Sequence, residues 1–267
     1  MNPREQKALF DDRGYLIVDV LTVGELEECQ REIRCLHERA ADLEAAGDPA
    51  FGNFQREPYA GDAAESGLPV LRKIENTRAL SEVFRRLSAH PGLVATAQNL
   101  IGSDLLLFRS TLMLKPALHG SAHGLHQDSA YWPIAPPHLV TVSVALSEAT
   151  VSNGCFLVIP GSHKWGLQSW GRIAREREAP LTDRDDVDLS AQIEVPLEAG
   201  SALFFHSLLV HGSGANISPR PRHTALYAYF SPSVRYLPAE GAPRTKVFPV
   251  ISGLDGKEEF TLTAADK

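Results

Sequence analysis

Cysteine is scarce. The 267-residue chain carries three, an odd number, and no two of them form a CxxC pair. This argues against a disulfide-stapled secreted scaffold and fits a reducing compartment, the cytoplasm. Cys29 and Cys35 in a helical stretch, and Cys155 in a strand-like one, read as small hydrophobes. Long apolar runs are lacking as well. No stretch approaches the roughly 18–20 apolar residues that would span a bilayer, and the opening residues 1–7 lack the apolar core of a signal peptide. A membrane partner is therefore not expected. Basic blocks are missing: 26 Lys and Arg against 33 Asp and Glu leave a net charge of −7. With no basic stripe and no aromatic array, nucleic acid is not an expected partner either. There is no internal repeat and no low-complexity tract.

What remains is an ordinary globular composition, 43% hydrophobic and 22% charged, in a chain long enough for one substantial core. A short strand is expected at Tyr15 to Val20. Thr22 and Glu25 then have capping-box spacing, and Leu26, Cys29, Ile33, Leu36, Ala40 and Leu43 follow at steps of three and four, one apolar stripe on a helix. From Gly47 to Pro69 the composition of Gly, Pro, Ala and polar residues reads as a long loop of the kind that forms lids. Helical pattern returns from Thr77 to Leu87, breaks at His90-Pro91-Gly92, and resumes to about Ile101.

After Leu105 the texture changes to short strand-like runs between turn signals: Leu105 to Lys115, Leu139 to Leu146, Gly154 to Ile159, Ala191 to Leu197, Ser201 to His206, and Arg222 to Ser231. Such spacing suggests a β-sandwich or barrel, here with the N-terminal helices as buttresses. The charged insertion from Arg172 to Ser190 reads as a solvated loop, or else as a loop at the barrel mouth.

His126-Gln127-Asp128 carries the chemistry. Residues i and i+2 of a strand share a face, so an imidazole and a carboxylate stand side by side. A distant histidine completes two His and one carboxylate, the facial set that suits non-haem Fe(II), although zinc or cobalt fits the same donors. His211, which closes an apolar strand before Gly212-Ser213, is the third candidate, with His206 as competitor. The strand downstream favours His211. Arg222, eleven residues on, opens it, and Arg222, Thr224, Leu226 and Ala228 share one of its faces. A guanidinium and a hydroxyl on one face suit a small dicarboxylate.

These residues resemble the phytanoyl-CoA dioxygenase (PhyH-like) family of Fe(II)/2-oxoglutarate oxygenases. The resemblance runs from Phe10-Asp11-Asp12-Arg13-Gly14-Tyr15 through the capped helix and His126-Gln127-Asp128. It continues in Asn153-Gly154-Cys155-Phe156-Leu157-Val158-Ile159-Pro160-Gly161-Ser162-His163 and ends at His211 to Ser213 with Asn216, Ser218 and Arg222. The segment ending at His163 is far more specific than HxD alone.

The resemblance implies a mainly β fold with flanking helices, its core a double-stranded β-helix (jelly-roll, cupin-like) buttressed by N-terminal helices. One domain would cover 1–267: a mostly helical buttress and lid loop over 1–104, the jelly-roll over 105–235, and a C-terminal extension over 236–267. It implies Fe(II) on His126, Asp128 and His211, 2-oxoglutarate and O₂ as cosubstrates, and the far carboxylate of 2-oxoglutarate on Arg222. Ser213, Lys115 and Thr141 would assist cosubstrate binding, and His163 would be structural. The implied reaction is hydroxylation of a small organic molecule, a secondary metabolite or small acid, with release of succinate and CO₂. A retained Asp128 sets the chain apart from halogenases, which lack that carboxylate.

Arg109, Met113, Tyr131 and Trp132 are substrate-contact candidates, and Trp165 and Trp170 stand near the acidic insertion. Arg72 and Lys73 are either surface cations or contacts for an anionic substrate. The alternatives are a non-oxidative metal-dependent hydrolase or isomerase, and a non-catalytic ligand-binding jelly-roll. Oligomeric state is not legible.

Overall fold

The computed structural model describes residues 1–60, 67–168 and 189–264. The helical part comprises α1 (Pro3–Arg13), α2 (Val23–Ala45), α3 (Thr77–Leu80), α4 (Glu82–Leu87) and α5 (Pro91–Ile101). Interleaved with it are β1 (Tyr15–Asp19), β2 (Phe54–Arg56) and β3 (Leu71–Glu75). Then come β4 (Leu105–Lys115), β5 (His123–His126), β6 (Ile134–Ala135), β7 (Leu139–Ala145), β8 (Phe156–Val158), β9 (Ile193–Val195), β10 (Ser201–His206), β11 (His211–Ser213) and β12 (Arg222–Phe230). β13 (Arg235–Tyr236), β14 (Thr245–Ser252) and β15 (Glu259–Thr263) finish the chain.

All the pairings are antiparallel. The larger sheet runs β1-β10-β7-β12-β4-β14-β15, with β3 and then β2 branching from β4; the smaller runs β5-β11-β8-β9. This is the mainly β jelly-roll with flanking helices that the sequence led us to expect. Among the described residues, no helix is long and apolar enough to cross a membrane.

Strand β12 shows how the layers form. Ala225, Tyr227 and Tyr229 enter a core shared with Cys29, Ile33, Leu36 and Ala40 of α2 and with Leu93 and Ala97 of α5. Arg222, Thr224 and Leu226 point the other way, into a cavity between the sheets. Period-two alternation thus gives one strand a helix-facing apolar side and a cavity-facing side. Two buried hydroxyls tie α4 to the sheet: Tyr227 donates to the Phe84 carbonyl (3.1 Å) and Tyr229 to the Ser88 carbonyl (2.8 Å). A second core, with Val158, Val195, Leu203, Phe205 and Leu209, lies between the sheets.

Three regions depart from the expectation. Gly47 to Pro69 is not one long loop. Asp48 caps a 3₁₀ turn over Pro49–Asn53, and β2 follows, held by the buried Phe54 and by pairing to β3. Helix α1 was not anticipated. It has Pro3 at its first position and a capping box between Asn2 and Glu5, but buries only Phe10, so no apolar stripe announces it. Two strands of the C-terminal extension join the main sheet: β14 pairs with β4 and β15 with β14, over Phe230, Phe248 and Leu262. Trp170, and the insertion from Arg172 as far as residue 188, lie outside the described residues.

The stripe on α2 carries measurable stability. Leu36 is fully packed, and Leu36→Ala should lower the unfolding free energy by ~2–5 kcal/mol. Thr22→Ala, which removes the N-cap hydroxyl together with a methyl group, should lower it by ~1 kcal/mol. Urea titration of the two variants against the parent checks the order as well as the sizes.

Candidate metal centre

His126 is the last residue of β5, and His211 the first of β11; they face each other in the antiparallel register of those strands. Gly212 permits this approach, since a Cβ there would sit 2.7 Å from the His123 carbonyl oxygen. Gln127 is extended, so Asp128, at the start of a short 3₁₀ turn, returns to the same side as His126. One donor atom from each of His126, Asp128 and His211 lies within 4.8 Å of the others. The Asp128 Oδ1 atom is 3.6 Å from His126 Nε2 and 3.8 Å from His211 Nε2.

The surroundings orient each donor. His126 Nδ1 lies 2.9 Å from the Gly124 carbonyl oxygen, and His211 Nδ1 lies 2.9 Å from that of Leu209. A proton on each Nδ1 leaves both Nε2 lone pairs turned to the common centre. Thr141 donates to Asp128 Oδ2 at 2.7 Å, which leaves Oδ1 for the centre. The Gln127 side chain is fully buried and points away, donating to the carbonyls of Gly166 and Leu208.

Burial, then the neighbouring His126, pushes the His211 pKa down to about 4, so its imidazole is neutral near pH 7 and can act as a ligand. Burial acts to raise the Asp128 carboxyl, but the His126 hydrogen bond, the nearby histidines and the Thr141 hydroxyl outweigh it and hold the group well below the usual carboxylate range.

Arg222 lies at the other end of the same cavity. It is buried, donates to the Gly154 carbonyl, and sits 5.7 Å from the centre of the Phe156 ring. Burial lowers its pKa to about 10, so it stays charged at neutral pH, and its Nε has no partner. No described carboxylate comes within ion-pair distance of it. The turn carrying Gly154 is shaped for this contact. Asn153 accepts from Thr150 and donates to the Glu148 carbonyl. Gly154 has φ +81°, and a Cβ there would collide with the Gly214 carbonyl at 2.3 Å. Downstream, Ser162 accepts from the Val210 amide, which fixes the residue before His211. The distinctive segment from Asn153 to His163 therefore serves both the cation and His211.

Of the other anticipated residues, Ser213, Thr224, Lys115, Arg109 and Met113 all line the cavity. Lys115 is opposite Arg222 in the β4–β12 register, donates to the Ser121 and Gly214 carbonyls, and is lowered to about 7 by burial and then by Arg222. Thr141 borders the cavity too, but its hydroxyl is given to Asp128. Tyr131 is not among the cavity-lining residues, although its ring centre lies 6.3 Å from that of His126. Trp132 is not among the cavity-lining residues: its ring lies tilted against Phe108, 4.9 Å between centres, and packs on the C-terminal core. His206 is also excluded as a ligand, since its ring packs on Phe10 and His163 behind the sheet. His163 lies against Asp11 and Gly14, a structural position as expected.

Several residues at the cavity were missed, among them Phe205, Phe156, His123 and Glu57. Phe205, its ring centre 4.4 Å from that of His211, and Phe156 form an apolar wall. Alternation along β10, with Phe204 in the helix-facing core, could have assigned Phe205. His123 and Glu57 carried no signal, the one hidden in a Gly/His-rich turn and the other in a stretch read as loop.

Comparison with known proteins gives the following likenesses. The model of the phytanoyl-CoA dioxygenase (PhyH) family matches residues 10–224. The peroxisomal phytanoyl-CoA dioxygenase of Rattus norvegicus is 27% identical over 252 residues, covering 91% of this chain and 72% of the relative. The structure of EctD from S. alaskensis with bound Fe superposes with a TM-score of 0.70 at 26% identity, covering 91% of this chain and 82% of EctD. The epimerase SnoN from nogalamycin biosynthesis, in complex with Fe³⁺, α-ketoglutarate and nogalamycin RO, gives a TM-score of 0.66 at 26% identity over 93% of this chain and 98% of SnoN.

The hydrogen bond from Thr141 yields a test. Thr141→Val keeps the shape but frees Asp128 Oδ2, and should weaken divalent-metal binding ~10–100-fold. Titration with Co(II), read by its visible absorption, measures the change.

Proposed function

The chain belongs to the phytanoyl-CoA dioxygenase family, and on that premise we propose that His126, Asp128 and His211 hold its iron, that Arg222 takes the far carboxylate of 2-oxoglutarate, and that it hydroxylates an unactivated C–H bond of a small organic molecule. Its class, an iron- and 2-oxoglutarate-dependent dioxygenase, follows from the family and from relatives such as the ectoine dioxygenases. That class sets aside the non-oxidative hydrolase and isomerase and the non-catalytic binding protein. The observation that carries the residue assignment is the pairing, in one cavity, of a two-His one-carboxylate cluster with a buried guanidinium that no described carboxylate neutralises.

The residues fit iron and 2-oxoglutarate on their own chemistry. Two neutral imidazoles and one carboxylate form a facial donor set that leaves positions open. When bound, iron with 2-oxoglutarate and O₂ supplies the oxidant that breaks the C–H bond, the cosubstrate leaving as succinate and CO₂.

The chain's part is placement. The Gly124 and Leu209 carbonyls hold the imidazole planes, and Thr141 holds the carboxylate. Arg222 grips the cosubstrate's far carboxylate through donors the fold leaves unused, with Lys115 held beside it by the Ser121 and Gly214 carbonyls. Thr224 and Ser213 stand on the same cavity as hydroxyl donors for that carboxylate. Phe156, Phe205 and Leu226 exclude water from the space between. Retention of Asp128 favours hydroxylation over halogenation. The likeness to SnoN, an α-ketoglutarate-dependent epimerase, favours a second reading in which the same donor set serves stereocentre inversion.

Anaerobic titration of the apo-protein with Fe(II) and then 2-oxoglutarate should produce the weak visible charge-transfer band of the chelate. Asp128→Ala should abolish it, and Arg222→Gln should weaken 2-oxoglutarate binding ~10–100-fold, the range for losing hydrogen bonds to a charged group. No band in a folded, metal-loaded sample would sink the assignment. Once a substrate is in hand, a product one oxygen heavier identifies hydroxylation, and an isomer of unchanged mass identifies epimerisation.

A further inference from the structure

The cavity has a second unneutralised guanidinium, at its mouth. β3 pairs with β2 on one side and β4 on the other. Its register against β2 runs Phe54 with Ile74, Gln55 with Lys73, and then Arg56 with Leu71, so Arg72 is an extra residue in a β-bulge. In a regular strand Leu71 and Ile74 would face opposite sides, as would Arg72 and Lys73. The bulge changes this. Leu71 and Ile74 both enter the helix-packed core, and Arg72 and Lys73 both line the cavity. Bulges beside active sites re-aim side chains in this way.

The re-aimed guanidinium has nothing to hold within the fold. Arg72 makes no hydrogen bond or ion pair with any described residue. Neither Glu75 nor Glu57 forms an ion pair with it. Glu75 binds Lys73, Arg109 and the Thr111 hydroxyl. Glu57 accepts from the amide and hydroxyl of Ser121 through Oε2, while its Oε1 is buried without a partner. The charge of Arg72 does reach into the cavity: after burial, Arg222 and Glu57, it is among the influences on Lys115, which it acts to lower. The lining holds Arg72, Lys73, Arg109, Lys115 and Arg222 against Glu57 and Asp128, and Glu75 pairs with Lys73 and Arg109, which leaves basic groups in excess. Fe(II) and 2-oxoglutarate carry equal and opposite charge, so loading them leaves the excess in place.

We propose that Arg72 is a specificity-determining residue that grips an oxyanion on the substrate, a carboxylate or a phosphate, so that the enzyme acts on anionic small molecules. This rests on the dioxygenase assignment above. Arg222 then serves the cosubstrate's carboxylate and Arg72 the substrate's, with the apolar walls at Met113, Leu226 and Phe205 receiving the carbon skeleton between them. A planar fork on each anion fixes orientation as well as charge.

The test uses three probes with one eight-carbon tail: octanoate, octyl phosphate and octanamide. Each is titrated calorimetrically, under argon, into full-length protein loaded with Fe(II) and 2-oxoglutarate, while the chelate band is followed. At least one anion should bind ten or more times more tightly than octanamide without bleaching the band, and the tighter of the two names the oxyanion. Arg72→Gln should bring anion and amide within about twofold while still forming the band, and Arg72→Lys should recover part of the preference. Equal binding of the three probes overturns the proposal, as does a preference that survives in Arg72→Gln. An anion that binds only by bleaching the band occupies Arg222 and also overturns it. A band with no preference leaves the dioxygenase assignment standing without this one. An Arg72-dependent preference with no band supports the anion site and removes the iron assignment.

Discussion

Burying a full charge away from water is among the most costly steps in folding, and native chains normally offset it with an opposite charge. At Arg222 this chain does so only in part. The guanidinium is closed in by the second sheet, receives one carbonyl, from Gly154, and one aromatic face, from Phe156, and meets no described carboxylate. Much of the local architecture follows from holding it there. The Asn153–Gly154 turn, with its left-handed glycine pressed on Gly214, exists to bring one carbonyl to it. Lys115, across the β4–β12 register, spends its own ammonium on two further carbonyls, and so both cations stay fixed without a buried anion between them.

The same economy governs the metal side. His126, Asp128 and His211 come from three chain segments, yet each is held by a group within easy reach of the backbone: the carbonyls of Gly124 and Leu209, and the hydroxyl of Thr141 on the neighbouring sheet. Thr141 matters because it links the two sheets. β7 lies at the centre of the larger one, between β10 and β12, and its hydroxyl fixes a carboxylate that belongs with the smaller one. The distance between sheets, set by the core residues around Phe205 and Val158, is therefore also the distance that sets the donor geometry.

The parts legible in the sequence were those written in short-range pattern. The α2 stripe with its capping box, the strands from Leu105 onward, the HxD pair and the alternation that puts Arg222 and Thr224 on one face all follow from periods of 3.6 and 2. The parts that were not legible depend on partners distant in sequence. β2 and β3 are short, and they hold together through pairing with β4 rather than through their own composition. α1 has caps but almost no apolar face, so periodicity could not find it. Trp132 looked like a pocket aromatic because it follows the HxD pair closely. Its ring is claimed by Phe108 and the C-terminal hairpin, whose position in the main sheet no local signal revealed. Glu57 and His123 reach the cavity only through the folded path of their loops.

These two kinds of legibility divide the cavity in a useful way. The donors proposed for metal and cosubstrate sit on β5, β11 and β12 and in the turn that follows β5, and slippage of those strands by one residue would turn every side chain to the wrong face and expose the core. They are locked by the register that holds the fold. Arg72 and Lys73 sit instead on a side branch of the sheet, where a single inserted residue changes which side chains face the cavity at the cost of local ladder bonds. A scaffold built this way can alter what it admits at the mouth, by moving or removing a bulge in β3, without disturbing the groups that perform the chemistry. Relatives with similar folds and different named substrates, such as ectoine dioxygenase and SnoN, are what that arrangement permits.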